Sequence, residues 1–555
     1  MPSDTGRTIP TSSSSLRDTS EAKGTISLVA LIFVISLGAL LRFEHITEPF
    51  FDKFSWREAS TAMMAANFYR GQWNIFYPEV DWGGPGPNYQ GREFQIVTYI
   101  AAILYNVFGQ HEWVSRSVTV AFGLWGIFAL YQLIRRVWDE KRALVGAGLM
   151  SVLPGAVFIE RSFLPDPAMV ALVITSLWML LAYCQTERIH YLVLSAFVGC
   201  LGILTKLPGI VIGVPAIYAI YAILGRRALE RHNLLGLLTA AVSVLIVVSG
   251  YYLWARHIAL TYPPYHFAGQ HQFISSEKIG EWIRHYYFLP KFINQIFGWL
   301  WTWPFVILAL TGLFLSPVKD KKGEPGSQAA PWFFHWFGAA LAIQYVVEAQ
   351  HLVEDPNNMH LFNPFAAAMA GHAIVTAFRF IQRGGFRRGG FQAAQIVGIS
   401  AMIVIVGLLG REQIKSRYKP SYASSYYLGL ALSKIAGPND LIISFGQNPC
   451  SIYYSKLRGW PFPPTEVWHT SLGWDYAELD IKSLTLLWKR GAKWLIIGNS
   501  NDGYINANDL KRGRGKDLWA YIKNNFELYD ENQDGMIFRL PAYPIGSTLS
   551  EGTRG

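Results

Sequence analysis

The sequence predicts a mostly helical, polytopic membrane protein with a soluble α/β domain at its C-terminal end. Of the 555 residues, 51% are apolar and only 15% are charged, whereas soluble domains usually carry about 25% charged residues. Eleven apolar stretches approach the roughly 20 residues that a spanning helix needs. After residue 411 the pattern changes to short strand and helix signals. These observations indicate one large domain in lipid and one ordinary domain after it.

The predicted spans occupy residues 25–411 and follow an N-terminal tail, residues 1–24. That tail is rich in Ser and Thr and has no apolar core, so we expect a disordered cytoplasmic segment rather than a cleaved signal. The predicted spans are 25–42, 117–134, 143–159, 167–184, 190–205, 207–224, 234–254, 297–315, 332–349, 361–378 and 393–410.

Orientation follows from the basic residues, which gather in alternate loops near Arg135, Arg226, Lys319 and Arg379. The positive-inside rule assigns these loops to the cytoplasm. Loops 45–115 and 255–298, and everything after residue 411, then lie outside the cytoplasm. The net charge of +10 is thereby explained without nucleic acid. A crossing at the shorter apolar run 94–109 would reverse this order, so we predict a surface-lying or re-entrant segment there.

The outer region 412–541 is predicted to be a small α/β domain, followed by a disordered tail, residues 542–555. Candidate strands are 441–444, 494–497 and 536–540, and candidate helices are 480–489 and 516–525. The stretch 530–535 resembles half of a calcium loop, but Pro541 stands where such a loop needs Glu. A hairpin turn is the alternative. Three cysteines imply no disulfide framework.

Asp52 stands just before a stretch in which small and apolar residues recur at helical spacing from Ser55 onward. That pattern favours an amphipathic helix on the membrane surface. Asp52 could cap this helix. Alternatively it could act in catalysis, because Arg57 and Glu58 follow within two turns.

Further ionisable side chains are predicted at the same membrane face. Such groups are costly at membrane depth and usually functional. A carboxylate can serve as a base for an acceptor hydroxyl, and cations in a dry site stabilise a departing phosphate; arginine can grip a phosphate bidentately. The candidates are Asp52, Arg57, Glu58, Arg92, Glu93, Arg116, Arg161, Asp166 and Lys206.

Simpler interpretations stay open for several of these residues. Arg116 and Lys206 could snorkel to the interface. Asp166 could cap a helix whose first position is Pro167. The aromatic residues of the first outer loop could stack on sugar rings or form an interfacial belt; they are Trp73, Tyr77, Trp82 and Tyr89.

No cofactor is assigned by the sequence, although a divalent metal ion stays open. Glu79 and Asp81 form a carboxylate pair of the kind that can hold one, and the stretch 351–362 offers two histidines and two carboxylates. An ordinary polar loop is the alternative there.

The chain resembles bacterial glycosyltransferases of the protein mannosyltransferase and aminoarabinose transferase type, which are polytopic GT-C enzymes. The resemblance lies first in an Asp-x-x-x-Trp-Arg-Glu stretch with Ala-x-Asn-Phe after it, from Asp52 to Phe68. It continues in Gly91-Arg92-Glu93-Phe94, Arg116, Arg161 to Asp166 and Thr205-Lys206. Asn448-Pro449 and Arg458-Gly459-Trp460 also match. In order, these pieces cover most of the chain.

The resemblance implies a polyprenyl-phosphate sugar donor, inversion at the anomeric carbon and an active site on the outer face of a bacterial inner or plasma membrane. It implies Asp52 as the base, with phosphate contacts from Arg57, Arg116 and Lys206. Glu93, Arg92, Asp166 and Arg161 would then orient donor or acceptor. Two departures leave Glu58 as a rival base: Asp52 and Glu58 are not adjacent, and Ser60 stands where relatives often have Asp.

The leading hypothesis is therefore sugar transfer from a lipid-phosphate donor to a hydroxyl of a glycan, lipid or protein. A ligase or polymerase that uses a diphosphate-linked oligosaccharide would share the fold. A lipid or solute transporter is a third hypothesis, although transporters place their sites near the bilayer midplane and often show repeated halves. Neither feature is evident in the sequence.

Overall fold

The computed structural model describes residues 13–71, 73–267, 288–317, 330–383, 388–446, 448–463, 481–499, 510–511 and 515–544. Helices dominate the chain up to residue 432, and one small sheet follows. The fold is mostly helical with a C-terminal α/β unit, as the sequence predicts.

The first fifteen helices in chain order form the part that contains the predicted spans. They are α1 (Ser13–Phe43), α2 (Ser55–Tyr69), α3 (Ile96–Phe108), α4 (Glu112–Val137), α5 (Glu140–Val152), α6 (Pro154–Arg161), α7 (Asp166–Thr186), α8 (Ile189–Thr205), α9 (Gly213–Leu224), α10 (Arg231–Thr261), α11 (Phe288–Gln295), α12 (Trp303–Phe314), α13 (Phe333–Glu354), α14 (Phe362–Arg383) and α15 (Arg388–Lys415).

The C-terminal unit alternates helices and strands. Its elements are α16 (Ala423–Leu432), β1 (Leu441–Phe445), α17 (Cys450–Ser455), β2 (Arg458–Phe462), α18 (Ile481–Lys489), β3 (Ala492–Gly498), α19 (Lys516–Asn525), β4 (Glu527–Asn532) and β5 (Gly535–Arg539).

Every predicted span coincides with helical structure, but fewer than eleven helices meet the length and composition of a membrane span. Within the described residues seven do so, or up to nine if each of two bent pairs is one span. The prediction at 190–205 falls on α8, which has only 17 residues. The prediction at 332–349 falls on α13, whose backbone leaves helical geometry at Glu348. The number of crossings therefore stays a prediction.

Proline explains one of the bends. The predicted span 143–159 is the pair α5 and α6, which meet at 61°. Pro154 disfavours helical geometry for the residue before it, and Leu153 is extended, with φ −60° and ψ 129°. The axis of α6 therefore differs in direction from that of α5, and Glu160 and Arg161 are its last two residues.

Helix α3 coincides with the apolar run 94–109. Its 13 residues give a length of about 20 Å at 1.5 Å per residue, which is short of a hydrocarbon core of about 30 Å. This length agrees with a surface-lying or re-entrant segment.

The N-terminal helix begins earlier than the sequence predicts. Helix α1 starts at Ser13, inside the segment 1–24 that is predicted to be disordered, while residues 1–12 lie outside the described part. At the other end, residues 545–555 of the predicted tail 542–555 also lie outside it.

The C-terminal sheet has the strand order β2-β1-β3-β5-β4. Strand β1 is parallel to β2 and β3, and β5 is antiparallel to β3 and β4. All three predicted strands and both predicted helices are present, with bounds shifted by at most two residues. The stretch 530–535 is the β4–β5 hairpin, in which the Asp534 N–H donates to the Asn532 side chain at 2.9 Å.

This sheet shares one apolar core with residues of the segment 45–115, the first loop predicted to lie outside the membrane, which we call the first outer loop. The core joins residues of α2 and α3, such as Met63 and Ala102, to β1 and β2 residues such as Ile442 and Trp460. The segment after Asp81 also extends the sheet: the N–H groups of residues 83 and 84 both donate to the Gly459 carbonyl at 2.9 Å. The outer loop and the C-terminal unit are therefore packed together.

Candidate active site

Asp52 is fully buried and paired with Arg161. An Arg161 Nη1–H donates to Asp52 Oδ2, and the Phe54 N–H donates to Oδ1 at 2.9 Å. The Arg161 guanidinium also lies 5.0 Å from the Tyr418 ring centroid. Helix α2 has no side-chain cap, so Asp52 closes a turn before the helix rather than capping its first turn.

Glu58 is likewise fully buried, and Arg116 grips both of its oxygens. The guanidinium donates from Nε to Oε1 and from Nη2 to Oε2, each at 2.9 Å, and the Phe163 N–H donates to Oε1 at 2.9 Å. The Arg116 guanidinium lies 4.8 Å from the Phe50 ring centroid. With no exposed surface, Arg116 does not snorkel, so that interpretation is wrong.

Arg57 immediately precedes Glu58, but its side chain contacts different partners from those of Glu58. Its Nε–H donates to Asp355 Oδ2 at 3.2 Å, and 18% of its side chain is exposed. Burial lowers the pKa of Arg57, but the charges of Asp355, Glu93 and Asp166 raise it above its ordinary value. The guanidinium is therefore charged, and it has N–H donors that the bond to Asp355 does not use.

Arg57 lines a cleft of about 400 Å³, including its open mouth, that we call the Arg57 cleft. Two further predicted site residues, Arg92 and Glu93, line the same cleft. Side chains from α2, from α3 and the two residues before it, and from Pro165 complete the cleft. The lining residues are Arg57, Thr61, Met64, Arg92, Glu93, Phe94, Gln95, Val97, Thr98 and Pro165.

Within the Arg57 cleft, Arg92 lies beside Glu93, with Nη1 3.8 Å from Glu93 Oε2. The Arg92 Nε–H donates to Gln90 Oε1 at 2.9 Å. Burial and the charge of Arg57 lower the pKa of Arg92, and Glu93 opposes them. The cleft thus combines cations with one carboxylate.

Asp166 and Lys206 form a buried pair. Lys206 Nζ donates to Asp166 Oδ1 at 2.6 Å and to Asn358 Oδ1 at 2.8 Å. The Asn357 amide donates to Asp166 Oδ2 at 3.2 Å. Lys206 is 3% exposed, so it does not snorkel. Asp166 does not cap α7 either, because the cap position is Pro165 and Asp166 is the first helical residue.

Prolines stand at the starts of helical segments where these charges lie. Pro165 and Pro167 flank Asp166, and proline is well tolerated in the first helical turn, where its missing N–H is not needed. Lys206 is extended, with φ −161° and ψ 122°, and Pro208 lies in the first turn of the short helix that begins after it. Asp166 and Lys206 therefore both stand at helix ends.

The candidate metal residues have other partners. Glu79 lies 2.8 Å from Arg458 Nη2, and Asp81 Oδ1 accepts from the Asn67 amide at 3.2 Å. In the stretch 351–362, His360 Nε2 lies 3.2 Å from Glu160. In the part of the chain that the structure describes, no group of three or more His, Cys, Asp or Glu side chains could hold a metal ion.

The aromatic residues of the first outer loop do not form one cluster; they contact different partners. Tyr77 and Tyr89 contact each other, with ring centroids 5.1 Å apart. Trp82 instead lies 6.1 Å from Trp56, and its indole N–H donates to Ser60 Oγ at 3.3 Å. Ser60 thus contacts this loop at the position where relatives often have Asp.

Sequence reasoning missed two contacts. Arg42 Nε donates to Glu160 at 2.5 Å with both side chains buried, and an arginine inside an apolar run was a signal for it. Tyr454 accepts from the Phe50 N–H and donates to Glu112, each at 2.8 Å. It thereby joins α17 to the segment before Asp52, which no local signal could reveal.

Part of the chain is similar in sequence to known proteins. Residues 95–254 match the family model described as dolichyl-phosphate-mannose-protein mannosyltransferase. YkcB of Bacillus subtilis (strain 168), a proposed mannosyltransferase, is 24% identical over 222 residues. That match covers 40% of this chain and only 30% of YkcB.

Solved structures share the fold of nearly the whole chain. ArnT from Cupriavidus metallidurans bound to undecaprenyl phosphate superposes with a TM-score of 0.59 at 13% identity, over 92% of this chain and 97% of ArnT. The Archaeoglobus fulgidus oligosaccharyltransferase in its apo form gives a TM-score of 0.60 at 12% identity, over 85% of this chain and 69% of that one.

A second structure of that archaeal enzyme contains zinc and sulfate. It gives a TM-score of 0.57 at 13% identity, over 92% of this chain and 72% of that one. Taken together, these comparisons show that residues 95–254 are similar to the mannosyltransferase family and that the chain shares the fold of ArnT and of the archaeal oligosaccharyltransferase. With its long apolar helices, the chain is a multi-pass membrane protein.

Proposed function

We propose that the chain is a membrane glycosyltransferase that moves a sugar from a polyprenyl-phosphate donor to an acceptor hydroxyl, with inversion. The observation that carries this proposal is the Arg57 cleft, where a charged guanidinium and a carboxylate line one open space. Phosphate and hydroxyl are the groups that such a pair suits. ArnT, which has the same fold, was solved with undecaprenyl phosphate bound.

Arg57 is our choice for the donor phosphate. Its guanidinium reaches the cleft and has only one hydrogen-bonded partner among the described residues, Asp355. Preorganised cations in a water-poor site stabilise charge that develops on a leaving phosphate. Lys206 and Arg116 were predicted for the same role, but each is buried against a carboxylate. We therefore assign them to holding Asp166 and Glu58 in place.

The cleft faces the outer side of a bacterial inner membrane in this proposal. The basic loops that we expect in the cytoplasm are at the opposite ends of the helices from the loop that carries Arg57. Residues 25–411 would form the membrane domain and 412–541 the outer domain. Because the outer domain shares a core with the first loop, we expect it to support the site.

Two other functions fit the fold. A ligase or polymerase for diphosphate-linked oligosaccharides is favoured by the likeness to an archaeal oligosaccharyltransferase. A transporter of lipids or solutes would need a site accessible from both faces. The proposal assigns no step to a metal ion, since the described residues assemble no ligand group.

The test is sugar transfer by the purified protein from a panel of polyprenyl-monophosphate and polyprenyl-diphosphate sugars. Release of polyprenyl monophosphate together with a glycosylated acceptor would support the proposal. Turnover of diphosphate donors alone would favour the ligase, and the absence of turnover from either class would refute glycosyl transfer. NMR of the product's anomeric centre would report inversion.

A further inference from the structure

Residues 416–422, which we call the linker, connect α15 to α16, the first helix of the C-terminal unit. The Tyr422 N–H donates to the Phe51 carbonyl at 2.9 Å, and the Tyr418 side chain is buried, with 8% exposed. Phe51 immediately precedes Asp52. The linker therefore lies directly against the turn that carries Asp52.

Tyr418 supports the arginine that is paired with Asp52. The Tyr418 ring centroid lies 5.0 Å from the Arg161 guanidinium and 4.4 Å from the His45 ring, with which it is stacked. The His45 carbonyl accepts a hydrogen bond of 2.8 Å from Arg161 Nη2, and Nη1 of the same guanidinium donates to Asp52 Oδ2. Arg161 has no exposed surface, and an aromatic ring attracts a cation most strongly where water is excluded.

The neighbouring linker residue supports the partner of the other Asp52 oxygen. The Arg417 guanidinium lies 4.1 Å from the Trp299 ring centroid, and the Trp299 ring is stacked on Phe54, with centroids 5.9 Å apart. The Phe54 N–H donates to Asp52 Oδ1 at 2.9 Å. Each oxygen of the Asp52 carboxylate is therefore hydrogen-bonded to a residue that the linker supports, and the Tyr418 route has the fewer steps.

We propose that Tyr418 is a positioning residue, which holds Arg161, and through it the Asp52 carboxylate, in the orientation that sugar transfer requires. This inference rests on the proposed function. The resemblance implies Asp52 as the base for the acceptor hydroxyl, and a base must stand within hydrogen-bond reach of the proton that it removes. The face of the Tyr418 ring carries this role, because the ring is the part that contacts the guanidinium.

The first test compares Tyr418→Leu and Tyr418→Phe in the purified full-length protein with a polyprenyl-monophosphate sugar. Displacing a catalytic group by about 1 Å can lower the rate by about 100-fold. We therefore expect Tyr418→Leu to lower kcat by about 10- to 100-fold while donor KM stays unchanged. Tyr418→Phe keeps the ring and should keep most of the wild-type kcat.

The matched control is Tyr131→Leu. The Tyr131 ring also contacts a guanidinium, that of Arg135 at 5.8 Å, but this pair lies at the opposite end of α4 from Arg116. The control variant loses a buried ring and a cation contact away from Asp52, so it should keep the wild-type kcat.

A double-mutant cycle with Arg161→Lys separates positioning from packing. Lysine keeps the positive charge but lacks the planar guanidinium that stacks on a ring. If Tyr418 acts through Arg161, Tyr418→Leu should lower kcat much less in the Arg161→Lys protein than in the wild type. A tyrosine that only fills space would give the same loss of kcat in both proteins, together with a lower melting temperature.

Each outcome decides between the proposals. If the wild-type protein transfers no sugar from any donor, the proposed function fails and this inference falls with it. If the wild type is active, the positioning role is refuted, while glycosyl transfer stands, by any of four results. These are a Tyr418→Leu variant that keeps kcat or changes only donor KM, an equal loss of kcat in Tyr418→Phe, an equal loss in Tyr131→Leu, and equal losses with and without Arg161→Lys. If Tyr418→Leu fails to fold, Tyr418→Met, which fills the space without a ring, is measured against the same criteria.

Discussion

The Arg116 guanidinium lies between two carboxylates, donating to Glu58 through two bonds of 2.9 Å and approaching Asp52 Oδ2 to 4.0 Å. All three side chains are buried. Removing one partner of a buried ion pair typically lowers stability by about 3 to 5 kcal/mol, because the remaining charge is left without compensation. This part of the site is therefore sensitive to any single change of charge.

We expect Glu58→Gln and Arg116→Met each to lower the melting temperature of the detergent-purified protein strongly. The double variant should lie closer to the wild type than the sum of the two losses, because it leaves no unpaired charge. Thermal unfolding of the four proteins measures this coupling. Strictly additive losses would mean that the two side chains do not stabilise each other.

Arg57 supplies a second prediction. We expect Arg57→Ala to lower kcat/KM for the donor by about 10² to 10³-fold, since removing one preorganised charge-stabilising donor usually has that effect. Arg70 follows the same helix and is paired with Asp81 outside the cleft, with 38% of its side chain exposed. Arg70→Ala is therefore the matched control and should stay near wild-type activity. Equal losses in both variants would contradict a phosphate role for Arg57.

The packing of the first outer loop against the C-terminal sheet can be tested by substituting two glycines of the loop, Gly84 and Gly71. Gly84 has φ +104°, and a Cβ there would lie 2.8 Å from the Trp460 ring; Gly71 has φ +120° with nothing within 4 Å. Both positions resist side chains through their backbone geometry, but only Gly84→Ala adds a clash. We expect Gly84→Ala to lower the melting temperature more than Gly71→Ala and to increase protease cleavage near residue 84. Equal behaviour would mean that the loop is not packed there.

His266 gives a pH-dependent prediction. Burial and the positive charges of Arg92 and Arg57 lower its pKa to about 3. An unfolded chain binds a proton at this histidine below pH about 6.5, whereas the folded chain does not until about pH 3. Stability from this group is thus complete above pH 6.5 and is lost as the pH falls toward 3.

Melting temperatures measured between pH 7 and pH 4 should therefore fall more steeply for the wild type than for His266→Gln. His232→Gln, at an exposed histidine, serves as the control and should follow the wild type. Parallel curves for wild type and His266→Gln would show that His266 is protonated alike in the folded and unfolded chains.

Local patterns were enough to predict several elements but not their bends. The helix Lys516–Asn525 and the strand at 441–444 follow from turn residues and apolar runs. The bend of 115° between Leu300 and Trp303 was not predicted, although Pro304 in the first turn of the second helix marks a helix start there. Strand β4 was missed because all six of its residues are exposed, so it shows no buried alternation.

Composition and the order of basic loops predicted, from sequence alone, a polytopic membrane protein with an outer α/β domain and with its ionisable candidate residues at one membrane face. Those properties depend on short stretches of chain, because the free energy of transferring a side chain into lipid is a property of that side chain. Only the tertiary structure decided which charges pair. Glu58 meets Arg116 58 positions away, and Arg57 meets Asp355 298 positions away. Such partners are chosen by how the helices pack, and that packing leaves Arg57 and Glu93 facing the cleft while it buries Asp52 and Glu58.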